Sequence, residues 1–331
     1  MKVKNEQGES KIFSHNKRLV YITIAIMAVL ILTGFFLYYY PNQPRRPKAA
    51  IIDQLSSSQL TETSRFPNQT FVETAKELLY THFPEVDYYS DNATVDQYES
   101  LSSSSYKLIV WRAHSALNLE NKYIAISSSE KYDSAKYNQY SADQLTLCNI
   151  TGDPNLYFAI TPKFVEECMS GRFEDTVIIF MSCNGLKQGY TKTAEAFVEK
   201  GVKAFISWDG WIGSSDNDDA ITLLLDYLIS KNNTISEAVY KIRSYFSPFY
   251  GPSALDYYPR SEVADYRIPN YKEANIASDA GPAVITVFLR TKSKLKRTSQ
   301  SRISPNQNTV KFILQIFSFG RHLSKSSNLF S

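Results

Sequence analysis

The chain has 331 residues, 43% of them hydrophobic and 21% charged, which suits one large or two ordinary globular domains and excludes a wholly disordered or collagenous chain. Three cysteines are too few for a disulfide framework or a four-cysteine zinc site. The net charge of +3 hides an uneven spread: residues 1–48 hold eight Lys/Arg against two acids, residues 291–331 eight against none, and the remainder 20 against 31. An acidic body of that kind argues against nucleic acid as a partner, since phosphate neutralisation dominates such binding.

Residues 1–18 form a basic tail, and no charge then occurs between Arg18 and Arg45. The stretch 19–40 is almost entirely apolar or aromatic, and as a helix it would reach about 33 Å, enough for a bilayer core. Tyr38, Tyr39 and Tyr40 fall where an interfacial belt would lie, and Pro41 ends the run. A cleaved signal peptide is the rival reading, but its apolar region would be shorter and no small-residue cleavage site follows. The basic residues ahead of the run favour a cytoplasmic N-terminus and an extracytoplasmic body in a single-pass cell-membrane protein. Sequons at Asn68, Asn92, Asn149 and Asn232 agree with that placement. Residues 41–49 read as a linker.

From 50 to 290 strands and helices alternate. Ala50–Leu55 reads as a buried strand, and Thr70-x-x-Glu73 as a capping box opening a helix through Leu79. Val86–Tyr89 and Tyr106–Arg112 follow as strands, with Tyr123–Ile126 as a hairpin strand. Thr161-Pro162 caps a helix closed by Gly171, and Thr176–Met181 is the unbroken apolar run of a central parallel strand. A helix near Ala194–Lys200, a strand over Val202–Trp208, a helix face at Ile221–Leu228 and a Thr234-x-x-Glu237 capping box complete the series. That order predicts an α/β fold with a mostly parallel sheet between helices. Residues 291–331, Ser-rich and free of acids, read as disordered or as a basic segment lying on lipid.

Reactive groups are expected at the carboxyl ends of the strands. His114 follows the strand Leu108–Arg112, and Cys183 follows Thr176–Met181. A thiol becomes nucleophilic as the thiolate, which a nearby imidazole can generate, so the two could form a catalytic dyad. Taken singly, such a cysteine is more often a buried hydrophobe and such a histidine more often a satisfied polar group.

The order of these motifs resembles the caspase-like cysteine peptidases, a group including caspases, metacaspases, gingipains and CHAT domains. Ile109-Val110-Trp111-Arg112-Ala113-His114 is similar to their histidine motif and Ile178-Ile179-Phe180-Met181-Ser182-Cys183-Asn184-Gly185 to their cysteine motif. Ala194-Glu195-Ala196-Phe197 and Gly201–Trp208 continue the likeness, which covers about residues 50–245. The resemblance implies peptide hydrolysis on a peptide or protein substrate, with Cys183 as nucleophile, His114 as proton carrier, and the backbone N–H groups of Ser115 and Cys183 as oxyanion donors. It implies no metal and no organic cofactor. Two positions depart from the pattern: Ser115 replaces a usual glycine, and Met181 stands where members specific for basic residues often carry Asp. Asp209, between Trp208 and Trp211, could supply the negative charge beside an aromatic wall, or be an ordinary loop carboxylate. Those departures keep an inactive binding or sensing module as the alternative. Cys148 and Cys168 either pair in a disulfide or stay free thiols.

Overall fold

The structure is a computed structural model describing residues 20–21, 23–35 and 46–272. The chain divides into Met1–Gly281 and Pro282–Ser331, and the second unit, with the tail expected over 291–331, lies outside the described residues.

A six-stranded sheet runs in the order β10–β9–β8–β3–β1–β2, where β1 is Lys48–Asp53, β2 Val86–Tyr89, β3 Tyr106–Arg112, β8 Thr176–Met181, β9 Val202–Trp208 and β10 Leu255–Tyr258. All neighbours are parallel except β10, which runs antiparallel to β9. Every residue of β8 is buried, as an apolar run without alternation requires when both faces are covered. The period of two divides the strands between two cores. Val177, Ile179, Met181, Leu108 and Val110 face one core with helices α1 (Gln69–His82), α5 (Ser214–Leu225) and α6 (Ile235–Tyr240). Ile178, Phe180, Ile109 and Trp111 face the other, with α2 (Val95–Ser100), α3 (Pro162–Glu167) and α4 (Lys192–Glu199).

The second core is closed by an antiparallel sheet of which the sequence predicts only the strand beginning at Tyr123, ordered β4–β5–β7–β6, with β4 at Ser115–Asn118, β5 at Tyr123–Lys131, β6 at Leu145–Asn149 and β7 at Leu156–Ile160. Ile124, Ile126, Phe158 and Ile160 point into that core, while Ala125, Cys148, Tyr157 and Ala159 pack on the other face against Leu60.

The expectation of a transmembrane helix over 19–40 is corrected. Among the described residues no helix is long and apolar enough to cross a membrane. The tail over 1–18 and most of the linker over 41–49 lie outside the described residues. Helix α1 also starts differently. Asn68, rather than Thr70, is its N-cap, its side chain accepting from the Phe71 N–H at 3.1 Å, while the Thr234–Glu237 capping box is present as read.

One polar cluster interrupts the apolar packing at the carboxyl edge of the large sheet. Arg112, 1% exposed, donates from Nε and Nη2 to the two carboxylate oxygens of Asp218 at 2.6 and 2.8 Å, and from Nη1 to Asp53 at 2.9 Å. Asp53 ends β1 in register with Arg112, and Asp218 lies in the first turns of α5. Asn68 Nδ2 donates to the same Asp218 at 3.0 Å, bringing the start of α1 to this point. Removing one partner of a buried ion pair leaves an uncompensated charge. Arg112→Ala is therefore expected to lower the unfolding free energy by about 3–5 kcal/mol, read by urea denaturation. A loss below about 1 kcal/mol would show that the cluster carries little of the fold.

Candidate active site

β3 and β8 pair in parallel with Arg112 opposite Met181, so two residues further on His114 and Cys183 leave the same edge of the sheet. Both line one groove of about 500 Å³. The sequence delivers them there because each follows a buried strand that ends at an equivalent height.

His114 is held on three sides. Its N–H donates to Oε1 of the fully buried Gln54 at 3.0 Å, and its carbonyl accepts from Ser127 N–H at 3.0 Å. Gln54 Nε2 donates in turn to the Ser128 carbonyl at 3.1 Å, clamping the end of β1 to β5. The imidazole Nε2 lies 2.7 Å from the Ser64 carbonyl, which can only accept, so Nε2 carries the proton and Nδ1 holds the lone pair of a base. Burial, aided by the Arg112 charge, pushes the imidazole below its ordinary value despite the Ser64 carbonyl and Asp153, and the ring is neutral near pH 7.

The Ser64 carbonyl is fixed by a carboxylate. Asp153 accepts from Thr61 Oγ1 at 2.8 Å, Tyr157 OH at 2.9 Å, Asn155 N–H at 2.9 Å and the Ser64 hydroxyl. Burial alone would raise this carboxyl, but the hydrogen bonds outweigh it and hold Asp153 well below the usual carboxylate range. Neither Gln54, Ser64 nor Asp153 was singled out from the sequence. The Ser/Thr-rich run after β1 was visible, but its partner Asp153 sits 89 residues beyond Ser64.

Cys183 occupies the turn after β8. Asn184 adopts φ +59° and donates its N–H to the Gly210 carbonyl at 2.7 Å, and Gly185 passes so close to β9 that a Cβ would stand 2.0 Å from Ser207 Oγ. Glycine is required there for space rather than for backbone angles. The thiol donates to the Ile212 carbonyl at 3.4 Å and accepts from the Ile212 N–H at 3.5 Å. Burial raises its pKa above that of a free cysteine, only partly opposed by the Ile212 hydrogen bond. The resting pair is thus a neutral thiol and a neutral imidazole. An imidazole-stabilised thiolate, the expected state of a dyad, is not the one described.

Ser115, in place of glycine, makes a contact glycine cannot: its hydroxyl donates to the Cys183 carbonyl at 2.7 Å. Its φ is not positive, so the position demands no glycine. Ser115 pairs with Ile126 while Ser127 N–H bonds the His114 carbonyl, a pattern that makes Ser115–Ile126 a non-hydrogen-bonded pair. β4 is the edge strand, so the Ser115 N–H points away from the ladder on the groove side.

The three residues proposed around the substrate separate. Trp211, 39% exposed, lines the groove and stacks on Tyr250 with ring centroids 4.9 Å apart. Trp208 does not line it: it follows the Ala204–Ile206 parity into the helical core, is fully buried, and donates Nε1 to Asn217 Oδ1 at 2.8 Å. Asp209 faces a different cavity and accepts from the Ala254 N–H at 2.7 Å, so it brings no charge to the groove. Cys148, in β6, and Cys168, at the end of α3, are free thiols packed against different cores, so the structure shows no disulfide between them. Burial lifts Cys148 to about 11. No group of side chains able to hold a metal occurs among the described residues. No protein-family model matches the chain, and neither does any curated protein.

Two measurements follow. Iodoacetamide near neutral pH is expected to modify Cys183 more slowly than it modifies glutathione, because the thiol is protonated and hydrogen-bonded; faster modification would mean a standing thiolate. His114 titrates below its ordinary 6.5, so the unfolded chain takes up that proton first on acidification. The associated stability is present above 6.5 and lost as pH falls below it. Urea unfolding at about pH 7 and pH 5 should show that loss in the wild type and a smaller one in His114→Gln.

Proposed function

We propose that the chain is a caspase-like cysteine peptidase in which Cys183 attacks a peptide carbonyl and His114 carries the proton. The observation supporting it is the shared sheet edge: a thiol and an imidazole with a free Nδ1, each two residues beyond an in-register strand pair, open into one groove. Substrate binding would draw the thiol from Ile212 toward Nδ1. The Cys183 proton passes to His114 as sulfur adds to the carbonyl carbon, and His114 returns it to the leaving amine. Water then hydrolyses the thioester by the same base, releasing the acid and restoring the thiol. The outward Ser115 N–H and the Cys183 N–H would receive the oxyanion, and the Ser115 hydroxyl holds the turn that presents them. The chemistry needs no metal or organic cofactor.

Placement of the domain outside the cytoplasm belongs to the same proposal. Asn92 and Asn232 are exposed sequon positions, whereas Asn68 spends its Nδ2 on Asp218 and Asn149 lines the groove itself. A glycosidase-sensitive mass shift lost on substitution of Asn92 and Asn232 would support it, and its absence from eukaryotically expressed protein would count against it.

A non-catalytic peptide-binding module is the second reading, favoured by one observation: Ile212 engages the thiol through both its N–H and its carbonyl. The two are separated by a peptidyl acyloxymethyl ketone, with the modified residue mapped by mass spectrometry. The peptidase reading expects labelling at Cys183, falling at least about 100-fold in His114→Ala. Labelling equally fast without His114, or none at Cys183, would leave the binding module.

A further inference from the structure

Among the described residues, no Asp, Glu, Lys or Arg side chain lines the groove beside Cys183. That is unusual for the carboxyl edge of an acidic domain, and it has a structural cause. Two of the acids that reach this edge, Asp53 and Asp218, are turned under it and held by Arg112. Asp209 faces another cavity, and Met181 occupies the strand-end position two residues before the thiol. What remains around the sulfur is apolar or neutral. Ile212 holds the thiol, and the next residue back, Trp211, stacks on Tyr250 at an interplanar angle of 22° to form an exposed aromatic wall. Leu55 and Phe66 line the groove as well, Phe66 meeting the edge of the His114 ring with centroids 6.0 Å apart.

We infer that this groove takes a polypeptide bearing an uncharged apolar or aromatic side chain beside the attacked carbonyl, seated on Trp211 and Tyr250, and that it rejects Asp, Glu, Lys and Arg at that position. The inference rests on the proposed peptidase role of Cys183 for its meaning in catalysis, although the preference itself is one of binding. A charged side chain entering the groove loses hydration and finds no counter-charge, because Asp53, Asp218 and Arg112 are already mutually satisfied. A flat apolar side chain instead covers the wall of two rings that now face solvent, with Trp211 39% and Tyr250 64% exposed.

The test uses Cys183→Ala protein, which binds without cleaving. Fluorescein-labelled hexapeptides identical except for one central residue (Phe, Leu, Asp or Lys) are titrated by anisotropy. The Phe and Leu peptides should bind at least about tenfold more tightly than the Asp and Lys peptides. Trp211→Ala, added to the same background, should narrow the gap to within about threefold. Tyr250→Ala serves as a second variant, and both side chains are exposed enough to be removed without disturbing the core. Tightest binding of the Asp or Lys peptide, equal binding of all four, or binding of none would overturn the inference. Cleavage of the Phe peptide by wild-type protein is scored separately. If that fails while the binding preference holds, the peptidase role falls and the groove preference stands.

Discussion

The buried guanidinium of Arg112 is the constraint on which the carboxyl edge of the sheet depends. It is the last residue of β3, on the strand face directed at the helical core, and an unpaired charge there would cost several kcal/mol. Its satisfaction recruits the end of β1 through Asp53 and the start of α5 through Asp218, while Asn68 draws in the start of α1. Four elements are thereby tied at one point, two residues before His114. The segment after β1 then supplies both Gln54, which fixes the His114 backbone, and Ser64, which fixes its ring. The histidine is positioned by the same junction that neutralises the arginine.

The thiol side is organised by close approach rather than by charge. Gly185 lets the turn lie against β9, and the turn residue Asn184 bonds to Gly210. Ile212 then receives the sulfur, and Ser115 joins this turn to the histidine side through one hydroxyl. The result is a pair held neutral and apart in its proton bonds, with His114 turned to Ser64 and Cys183 to Ile212. Reactivity in such an arrangement would depend on a ligand exchanging the Ile212 contacts for its own. That would guard the thiol from adventitious alkylation and oxidation, both of which proceed through the thiolate.

Much of the central sheet was legible because its strands are dominated by apolar runs, unbroken from Val177 to Met181 and interrupted near the start by Lys107 and Lys203 in the neighbouring strands. Thr176–Met181 and Val202–Trp208 stand where the runs lie. The antiparallel sheet was not legible beyond the single strand at Tyr123. Ser127, Ser128 and Ser129 are buried in β5 without being apolar, and Leu145–Asn149 alternates too weakly to stand out. His114 and Cys183 could be paired because strand ends are informative. The residues that orient them could not, since Gln54, Ser64 and Asp153 act through contacts across long sequence separations. Trp208 was misplaced by reading composition where parity mattered: it follows Ala204 and Ile206 onto the core face, while Trp211, beyond the strand, is free to line the groove. The helix expected over 19–40 rested on a charge-free apolar run with an aromatic end and a basic flank, and among the described residues no helix is long and apolar enough to cross a membrane.

The bonds that set His114 in place and join it to the Cys183 turn close long loops. Gln54 reaches His114 across 60 positions, Ser64 reaches it across 50, and Ser115 reaches the Cys183 carbonyl across 68. Contacts of such separation are entropically costly until the parallel strands between them are docked. The two reactive side chains therefore have no local scaffold of their own, and a fragment carrying either motif would carry the residues without the geometry. Assembly of the groove is therefore expected to follow the docking of those strands, which would leave little occasion for a nascent or partly folded chain to act on its neighbours.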